Sequence, residues 1–194
     1  DLAAFQECWY SDCVRNLSRP FPHTLRLRDG IVGGDGLLIA SRLPIDDREL
    51  FSYSLNAPLH RFIYGEADGV AKKGVIVATL RTPEGPLMVF DTHLIAGYPG
   101  RNYVPERVGQ LYELSCFIRS YAKDQPYLLL GDLNLNPKSE EYLILVALLG
   151  LRDACPDCSA TGQNGRIDHI FLSPAMAGWT VVRAGVAMTG TLDA

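Results

Sequence analysis

Short apolar runs bounded by turn-forming residues recur along the chain, and they predict a protein rich in β-strands. The clearest run covers residues 126–130, and its uniformly apolar character indicates a fully buried strand. Weaker runs predict strands at 23–28, 37–41, 50–55, 75–81, 87–90, 166–173 and 181–188. The opening residues read as the end of a further strand, which gives way to polar residues after Phe5.

Three stretches carry the apolar spacing or the end signals of helices. Residues 103–121 place apolar side chains at steps of three and four, which is the spacing of an amphipathic helix. Residues 139–149 predict a second helix that ends at Gly150, and residues 9–17 predict a short helix near the start. Many strands with few helices between them are typical of an α+β layered sandwich. The length and the lack of a repeat or linker predict a single domain over residues 1–194.

Charge and composition narrow the class of partner. Acidic and basic residues are interspersed, the formal net charge is −4, and no run of Lys or Arg marks a nucleic-acid binder. No apolar run is long enough to span a membrane, and no obligate protein partner is indicated. No signal peptide is visible, but the chain reads as if it starts inside its domain, so the sequence leaves the compartment open.

The cysteines are odd in number and scattered, which does not predict a disulfide framework. They are Cys8, Cys13, Cys116, Cys155 and Cys158. The pair at 155 and 158 forms a lone C-x-x-C motif, without the second pair or the nearby histidines that a zinc site requires. The sequence therefore predicts a loop with two free thiols there.

The most informative polar stretch follows the strand at 126–130 and runs from Gly131 to Pro137. Asp132 and Asn134 are two positions apart, so they share one side if the strand continues through them. A carboxylate and an amide that project together from a strand end suit a hydrated divalent metal and a phosphate oxygen. The alternative is an Asx-rich turn in which Asn136 and Pro137 begin the next helix.

Four more polar residues lie at predicted strand ends or in the loops beside them. Glu7 suits a metal ligand, or else a solvated carboxylate at a helix start. Lys73 suits a phosphate contact, or else a solvated loop lysine. His93 suits a hydrogen bond to phosphate, or else a structural role. Asp168 is flanked by apolar residues, so its carboxylate requires a partner or a metal.

The motifs around these residues resemble those of the endonuclease/exonuclease/phosphatase superfamily of Mg²⁺-dependent phosphodiesterases, and they occur in the family's order over nearly the whole chain. The matching motifs are Gln6-Glu7, Thr92-His93-Leu94, Gly131-Asp132-Leu133-Asn134 and Arg166-Ile167-Asp168-His169. Within the superfamily the chain looks most like a neutral sphingomyelinase. The stretches that support this are 30–33, 41–45, 54–57, 73–74, 93–98 and 106–114.

The resemblance implies a fold, a cofactor and a set of roles. The fold would be a four-layered α/β sandwich, with two packed, mainly antiparallel β-sheets flanked by helices. Glu7 would hold Mg²⁺, with Mn²⁺ as an alternative ion, and Asp132 would orient or activate the attacking water. His93 and Asn134 would bind the scissile phosphate, together with Lys73. Asp168 would orient a catalytic histidine near the family's C-terminus.

Two family motifs are missing from the chain. The family carries an Asn on a strand before the Gln-Glu motif and a Ser-Asp-His motif near its end, and neither occurs here. His169 follows Asp168, but alternation sends it to the opposite face of the strand, so it is not expected to replace the missing histidine. The expectation is a domain trimmed at both ends, which is inactive as it stands.

The leading hypothesis is a phosphodiesterase that hydrolyses sphingomyelin, or a related phospholipid, to ceramide and phosphocholine. Because this substrate lies in a membrane, an apolar surface loop should contact lipid, and residues 55–64 and 94–103 are the candidates. A Mg²⁺-dependent nuclease of the same superfamily is the second hypothesis. A catalytically inactive binding module, which lacks the C-terminal histidine, is the third.

Overall fold

The computed structural model describes residues 1–17, 19–27, 34–162 and 165–187, and it contains two β-sheets. The smaller sheet has three strands in the order β1-β3-β2, and all of its pairs are antiparallel. These strands are β1 (Leu2–Phe5), β2 (His23–Leu25) and β3 (Leu38–Ser41).

The larger sheet has six strands in the order β4-β5-β6-β7-β9-β8. Its strands are β4 (Ile45–Ser52), β5 (Gly74–Thr82), β6 (Gly85–His93), β7 (Tyr127–Asp132), β8 (Arg152–Asp153) and β9 (Asp168–Leu172). Only β6 and β7 run parallel among the described pairs. A parallel pair requires a long crossover, and here a helix provides it.

That crossover helix is α2 (Val104–Ala122), and two further α-helices are α1 (Ser11–Leu17) and α3 (Glu140–Leu149). Ser139 caps α3, because its side chain accepts a hydrogen bond from the Tyr142 amide, and Gly150 ends the helix in the left-handed conformation. The predicted start at residue 139 is therefore close, whereas the alternative in which Asn136 and Pro137 begin this helix is wrong. The Asn136 side chain instead accepts a hydrogen bond from the Lys138 amide in the turn before it.

The core lies on both faces of the larger sheet. On one face, Ile76 and Val89 pack with Ile39 of the smaller sheet. On the other, Phe90 and Leu129 pack with residues of α2 and α3. The predicted α+β arrangement of two packed, mainly antiparallel sheets with flanking helices is therefore confirmed.

Two strand predictions are wrong. Residues 181–187 form no strand, and Met188 lies outside the described residues. The strand predicted at 50–55 begins earlier, at Ile45, and ends at Ser52. Residues 46–49 are polar and exposed, so they carry no apolar signal, yet they pair with β5 as part of an edge strand. The glycine-rich stretch at 30–33 also lies outside the described residues.

The expectation about the cysteines is wrong for four of them. Cys8 is bonded to Cys13 and Cys155 to Cys158, while Cys116 is free and exposed. The partners are only five and three positions apart in sequence, and their Cα atoms lie 5.9 and 5.3 Å apart. Local turns therefore bring each pair together, and a count of cysteines contains no information about such turns.

None of the helices in the described ranges combines the length and the apolar character needed to cross a bilayer.

Candidate active site

Four backbone positions form one row across the larger sheet, at the end where β6 and β7 both finish. Gly74 of β5 pairs with His93 of β6, and His93 pairs with Asp132 of β7. Asp132 in turn pairs with Asp168 of β9. The strand register therefore places three of the candidate residues at the same level on neighbouring strands.

Glycine is required beside this row, at Gly131. Its φ is +137°, and a Cβ at this position would lie 1.9 Å from the Thr92 carbonyl oxygen. Any side chain would therefore push β7 away from β6. The close approach of the two backbones keeps Asp132 beside His93.

Asp132 and Asn134 are brought together by a turn rather than by strand alternation, because β7 ends at Asp132. The Asn134 amide donates to Asp132 Oδ1 at 2.9 Å, and Asn134 Nδ2 donates to the Leu94 carbonyl at 2.9 Å. Asn134 has a φ of +50°, which is uncommon outside glycine. These bonds hold the Asn134 amide group beside the ends of both β6 and β7.

Lys73 and His93 form a buried pair beneath Asp132. Lys73 Nζ lies 3.0 Å from His93 Nε2 and 2.8 Å from Asp68 Oδ1. Only 2% of the Lys73 side chain is exposed. Burial lowers the pKa of His93 well below its usual range, and the Lys73 charge lowers that pKa further. His93 is therefore neutral at physiological pH, and it lies 3.6 Å from Asp132 Oδ2.

We refer to the end of the larger sheet that carries this row as the rim. The Asp132 carboxylate has the most strongly shifted pKa among the accessible acids there. Burial, opposed by the hydrogen bond from the Asn134 amide, raises the pKa of Asp132 to about 6. The charges of Asp168 and Glu7 raise this pKa further, while the charge of Lys73 lowers it. Three carboxylates and one lysine thus interact through space at the end of the row. Strongly shifted acids of this kind are concentrated at functional sites.

Glu7 lies just after β1, in the smaller sheet, and is held there by its neighbours. Gln6 Nε2 donates to Asp91 Oδ1 at 2.6 Å, which ties the end of β1 to β6. The Cys8 amide donates to the Gly36 carbonyl at 2.8 Å, and Cys8 is fixed by its disulfide. Glu7 itself has a φ of +59° and an exposed side chain. Strained backbone at an exposed carboxylate is a feature of ligand sites.

Asp168 and His169 face opposite ways, as strand alternation predicts. The Asp168 side chain is exposed, whereas His169 is buried and its Nε2 lies 2.7 Å from the Leu135 carbonyl oxygen. His169 therefore contacts the turn that carries Asp132 and Asn134, but from below. It is not available to replace a catalytic histidine at the rim.

A buried polar cluster supports His169. Arg166 donates to Asp153 at 2.6 Å, and the Tyr142 hydroxyl donates to Asp153 at 2.7 Å. His169 Nδ1 lies 3.9 Å from the same carboxylate. Burial raises the pKa of Asp153, but the nearby His169 ring and the hydrogen bonds from Arg166 and Tyr142 outweigh burial and hold this pKa far below its usual range.

The donor atoms at the rim fit a hydrated Mg²⁺ or Mn²⁺ ion better than a fully protein-enclosed metal. No group of three or more His, Cys, Asp or Glu side chains within the described ranges is arranged to hold a metal. Mg²⁺ commonly binds through one or two carboxylates and keeps several waters. The charges of Glu7 and Asp168 repel that of Asp132, and a bound divalent cation would relieve this repulsion.

Sequence reasoning located the rim but missed residues that organise it. The structure brings His93, Asp132, Asn134 and Asp168 together, with Glu7 and Lys73 close enough to act on Asp132. The missed residues are Asp68, which pairs with Lys73, and Asp91, which binds Gln6. Asp68 lies in a polar loop where nothing marks it, whereas a carboxylate two positions before His93 inside an apolar strand was a usable signal.

Comparison with known proteins gives one family. Residues 1–185 match the model of the Endonuclease/Exonuclease/phosphatase family. The chain is 35% identical to sphingomyelin phosphodiesterase 2 of Rattus norvegicus over 161 residues, which cover 79% of this chain and 37% of the rat protein. The match therefore spans well under half the length of that relative.

Solved structures agree with this assignment at the level of the fold. Sphingomyelinase C from Streptomyces griseocarneus superimposes with a TM-score of 0.67 at 18% identity, covering 90% of this chain and 71% of that one. A mutant beta toxin from Staphylococcus aureus, crystallised with bound magnesium ions, gives a TM-score of 0.69 at 17% identity, with coverages of 90% and 71%.

Proposed function

The chain belongs to the endonuclease/exonuclease/phosphatase family, and from this premise we propose that it hydrolyses the phosphodiester of sphingomyelin or a related phospholipid. The products would be ceramide and phosphocholine. The observation that carries the proposal is the row of His93, Asp132 and Asp168, with Asn134 held beside it. Because the chain spans only 37% of the rat relative, the activity is proposed for the complete protein that contains it.

Asp132 is proposed to take the proton of the attacking water. Its carboxylate is partly exposed at the rim, and its pKa of about 6 leaves it ionised at neutral pH. A base whose pKa lies near the working pH combines the correct charge state with useful basicity. The Asn134 amide holds Oδ1, so Oδ2 is the oxygen that can face water.

His93 and Asn134 are proposed to donate hydrogen bonds to the phosphate oxygens. One hydrogen of Asn134 Nδ2 is used on the Leu94 carbonyl, and the second is free for a substrate oxygen. A donor fixed in advance stabilises the charge that develops in the transition state, and losing one typically costs about 10²–10³-fold in rate. Lys73 is proposed to supply positive charge to the phosphate from beneath His93.

Glu7 is proposed to hold Mg²⁺ or Mn²⁺ at the same rim. When bound, the ion would act as a Lewis acid on the phosphoryl group and would offset the carboxylate charge around Asp132. Asp168 is proposed to orient a catalytic histidine, as the family resemblance implies. Its side chain is exposed and therefore accessible for this contact. The beta toxin structure with bound magnesium ions supports this choice of metal.

The test measures phosphocholine release by the complete protein from vesicles of phosphatidylcholine and sphingomyelin, with Mg²⁺ and with EDTA. Release should depend on the metal, and Glu7→Ala should abolish it. Glu49→Ala is the matched control, because Glu49 is an exposed carboxylate on the edge strand β4 and lies outside the row.

Two other outcomes would contradict the proposed activity, and a third would contradict the role of Glu7. Nicking of supercoiled plasmid without phosphocholine release would favour a nuclease. Mg²⁺ binding without turnover on either substrate would favour an inactive binding module. Unchanged turnover in Glu7→Ala would remove Glu7 from the site.

A further inference from the structure

A short turn beside the active site exposes several large apolar side chains. It consists of Leu55 and the 3₁₀-helix Leu59–Tyr64, and we refer to these residues as the apolar turn. Leu59, Phe62, Ile63 and Tyr64 are 71, 55, 76 and 66% exposed, and Leu55 is 42% exposed. A continuous group of this kind marks an interaction surface more often than an isolated exposed residue does.

The apolar turn is held in place, so its exposure is a feature of the fold. Arg61 forms an ion pair with the buried Glu66, which also accepts a hydrogen bond from Tyr103. The Arg61 guanidinium lies 4.9 Å from the centre of the Tyr64 ring. Gly65 closes the helix with a φ of +82°, and its amide donates to the Phe62 carbonyl. These contacts anchor the turn through its polar side chains and leave its apolar side chains exposed.

The base of the apolar turn is shared with the active site. A Cβ at Gly69 would lie 2.7 Å from the Phe62 amide nitrogen, so this glycine packs directly against the turn's backbone. The preceding residue, Asp68, forms the ion pair with Lys73, which contacts His93. The backbone of the apolar turn therefore packs against the residue next to Asp68, which pairs with Lys73 of the site.

Charge favours a phospholipid surface as the occupant. Residues 55–65 contain no acidic residue, although the chain as a whole carries a net charge of −4. His60 is exposed beside the apolar residues and suits a phosphate headgroup, whereas the Arg61 charge is paired with Glu66. Tyr and Phe side chains are favoured at the boundary between headgroups and acyl chains.

The other stretch that the sequence offered for lipid contact is not exposed in the same way. Leu94, Ile95 and Tyr103 are 0, 0 and 2% exposed, so they belong to the core. Burial therefore separates two candidates that looked equivalent in sequence.

We propose that the apolar turn docks the domain on a phospholipid bilayer, with Phe62, Ile63 and Tyr64 entering the interface. The identity of the bilayer substrate rests on the function proposed above, whereas the docking itself rests on the exposed surface. Docking at this position would bring the rim that carries Lys73 and His93 close to the headgroups.

The test compares the complete protein with Phe62→Gln/Ile63→Gln and with the control Leu143→Gln/Ile144→Gln. The control removes two adjacent exposed apolar residues, 58 and 39% exposed, from α3. Each protein is assayed on sphingomyelin in phosphatidylcholine vesicles and on the water-soluble diester bis(4-nitrophenyl) phosphate. Cosedimentation with the same vesicles is measured in parallel.

The turn variant should lose about tenfold or more of its vesicle turnover and vesicle binding, as expected for removing two apolar side chains from a lipid contact. Its turnover on the soluble diester should match that of the wild type and the control. If the double variant is inactive on the soluble diester as well, Ile63→Gln alone, at the most exposed position, replaces it.

Vesicle turnover and binding within twofold of the wild type would overturn the docking proposal and would leave the turn for a protein partner. If the wild-type protein binds vesicles through the turn but releases no phosphocholine, the proposed function fails while the docking surface stands. The two proposals therefore fail separately.

Discussion

Asp132 and Asp168 are paired directly across the antiparallel strands β7 and β9, and their like charges interact. Like charges placed opposite each other in a sheet are destabilising unless something compensates for them. Here the Asp168 charge helps to raise the pKa of Asp132, which burial has already raised. The pair is therefore a source of basicity at the end of β7, and this effect can be measured.

The pKa of Asp132 can be followed in the metal-free protein through the Asn134 amide, which is bonded to Asp132 Oδ1. We expect the ¹H and ¹⁵N shifts of this amide to titrate with a midpoint of about 6. Asp168→Asn should lower the midpoint, because it removes a negative charge that disfavours ionisation of Asp132. The rate of hydrolysis should also fall on acidification, because the base must be ionised, but at a pH below this midpoint, since a bound divalent cation would lower the pKa of Asp132. A midpoint near the ordinary value of about 3.9 would contradict the argument.

The close approach at Gly131 predicts a large effect of a single methyl group. Gly131→Ala would place a Cβ 1.9 Å from the Thr92 carbonyl oxygen at a φ that side chains rarely adopt. We expect a loss of about 2–5 kcal/mol in the free energy of unfolding, measured by denaturant titration. Gly178→Ala is the control, because nothing lies within 4 Å of a Cβ there. Equal stability of the two variants would show that β6 and β7 can separate without cost.

A substitution at His169 is expected to lower kcat while leaving KM nearly unchanged. His169→Phe keeps a ring against Phe171, which stacks on His169 at 5.4 Å, but it removes the contact between Nε2 and the Leu135 carbonyl. His169 touches no substrate in the proposed mechanism, so it acts as a positioning residue for the turn of Asp132 and Asn134. We expect kcat to fall about tenfold or more with KM little changed, because a small misplacement of catalytic groups is costly.

A purely structural role for His169 would lower stability while leaving the kinetics of the folded fraction unchanged. The Asn134 amide shift distinguishes the two cases, since it moves only if the turn itself is displaced. An unchanged shift and an unchanged kcat would remove His169 from the positioning role.

The candidate residues of the rim could be selected from the sequence, because each lies at or beside a predicted strand end. The strand register then places His93, Asp132 and Asp168 side by side. Period-two alternation correctly separated Asp168 from His169. It failed at Asn134, because β7 ends at Asp132 and a left-handed turn takes over. The pairings of Lys73 with Asp68 and of Gln6 with Asp91 could not be read from the sequence, because each depends on tertiary packing between separate segments. Exposure of the apolar turn, as opposed to burial of Leu94, Ile95 and Tyr103, depends on packing in the same way.

The Asp153 cluster makes stability depend on pH with a definite sign. The pKa of Asp153 in the folded protein lies below its unfolded value, so its stabilising contribution is complete above about pH 4. That contribution is lost as the pH falls through the folded-state pKa. Asp153→Asn should therefore cost about 3 kcal/mol at pH 7, because it leaves the buried Arg166 guanidinium without its anionic partner. The difference between variant and wild type should shrink at pH 2–3.

Asp46→Asn is the matched control for Asp153→Asn. It removes an aspartate that also binds an arginine, Arg81, but that pair is exposed. Because solvent screens exposed ion pairs, this variant should unfold with the wild type at both pH values. A difference between Asp153→Asn and wild type that persists undiminished at low pH would mean that the Asn side chain disturbs packing rather than charge. The cluster beneath the Asp132 turn would then owe its stability to shape and not to the ionised carboxylate.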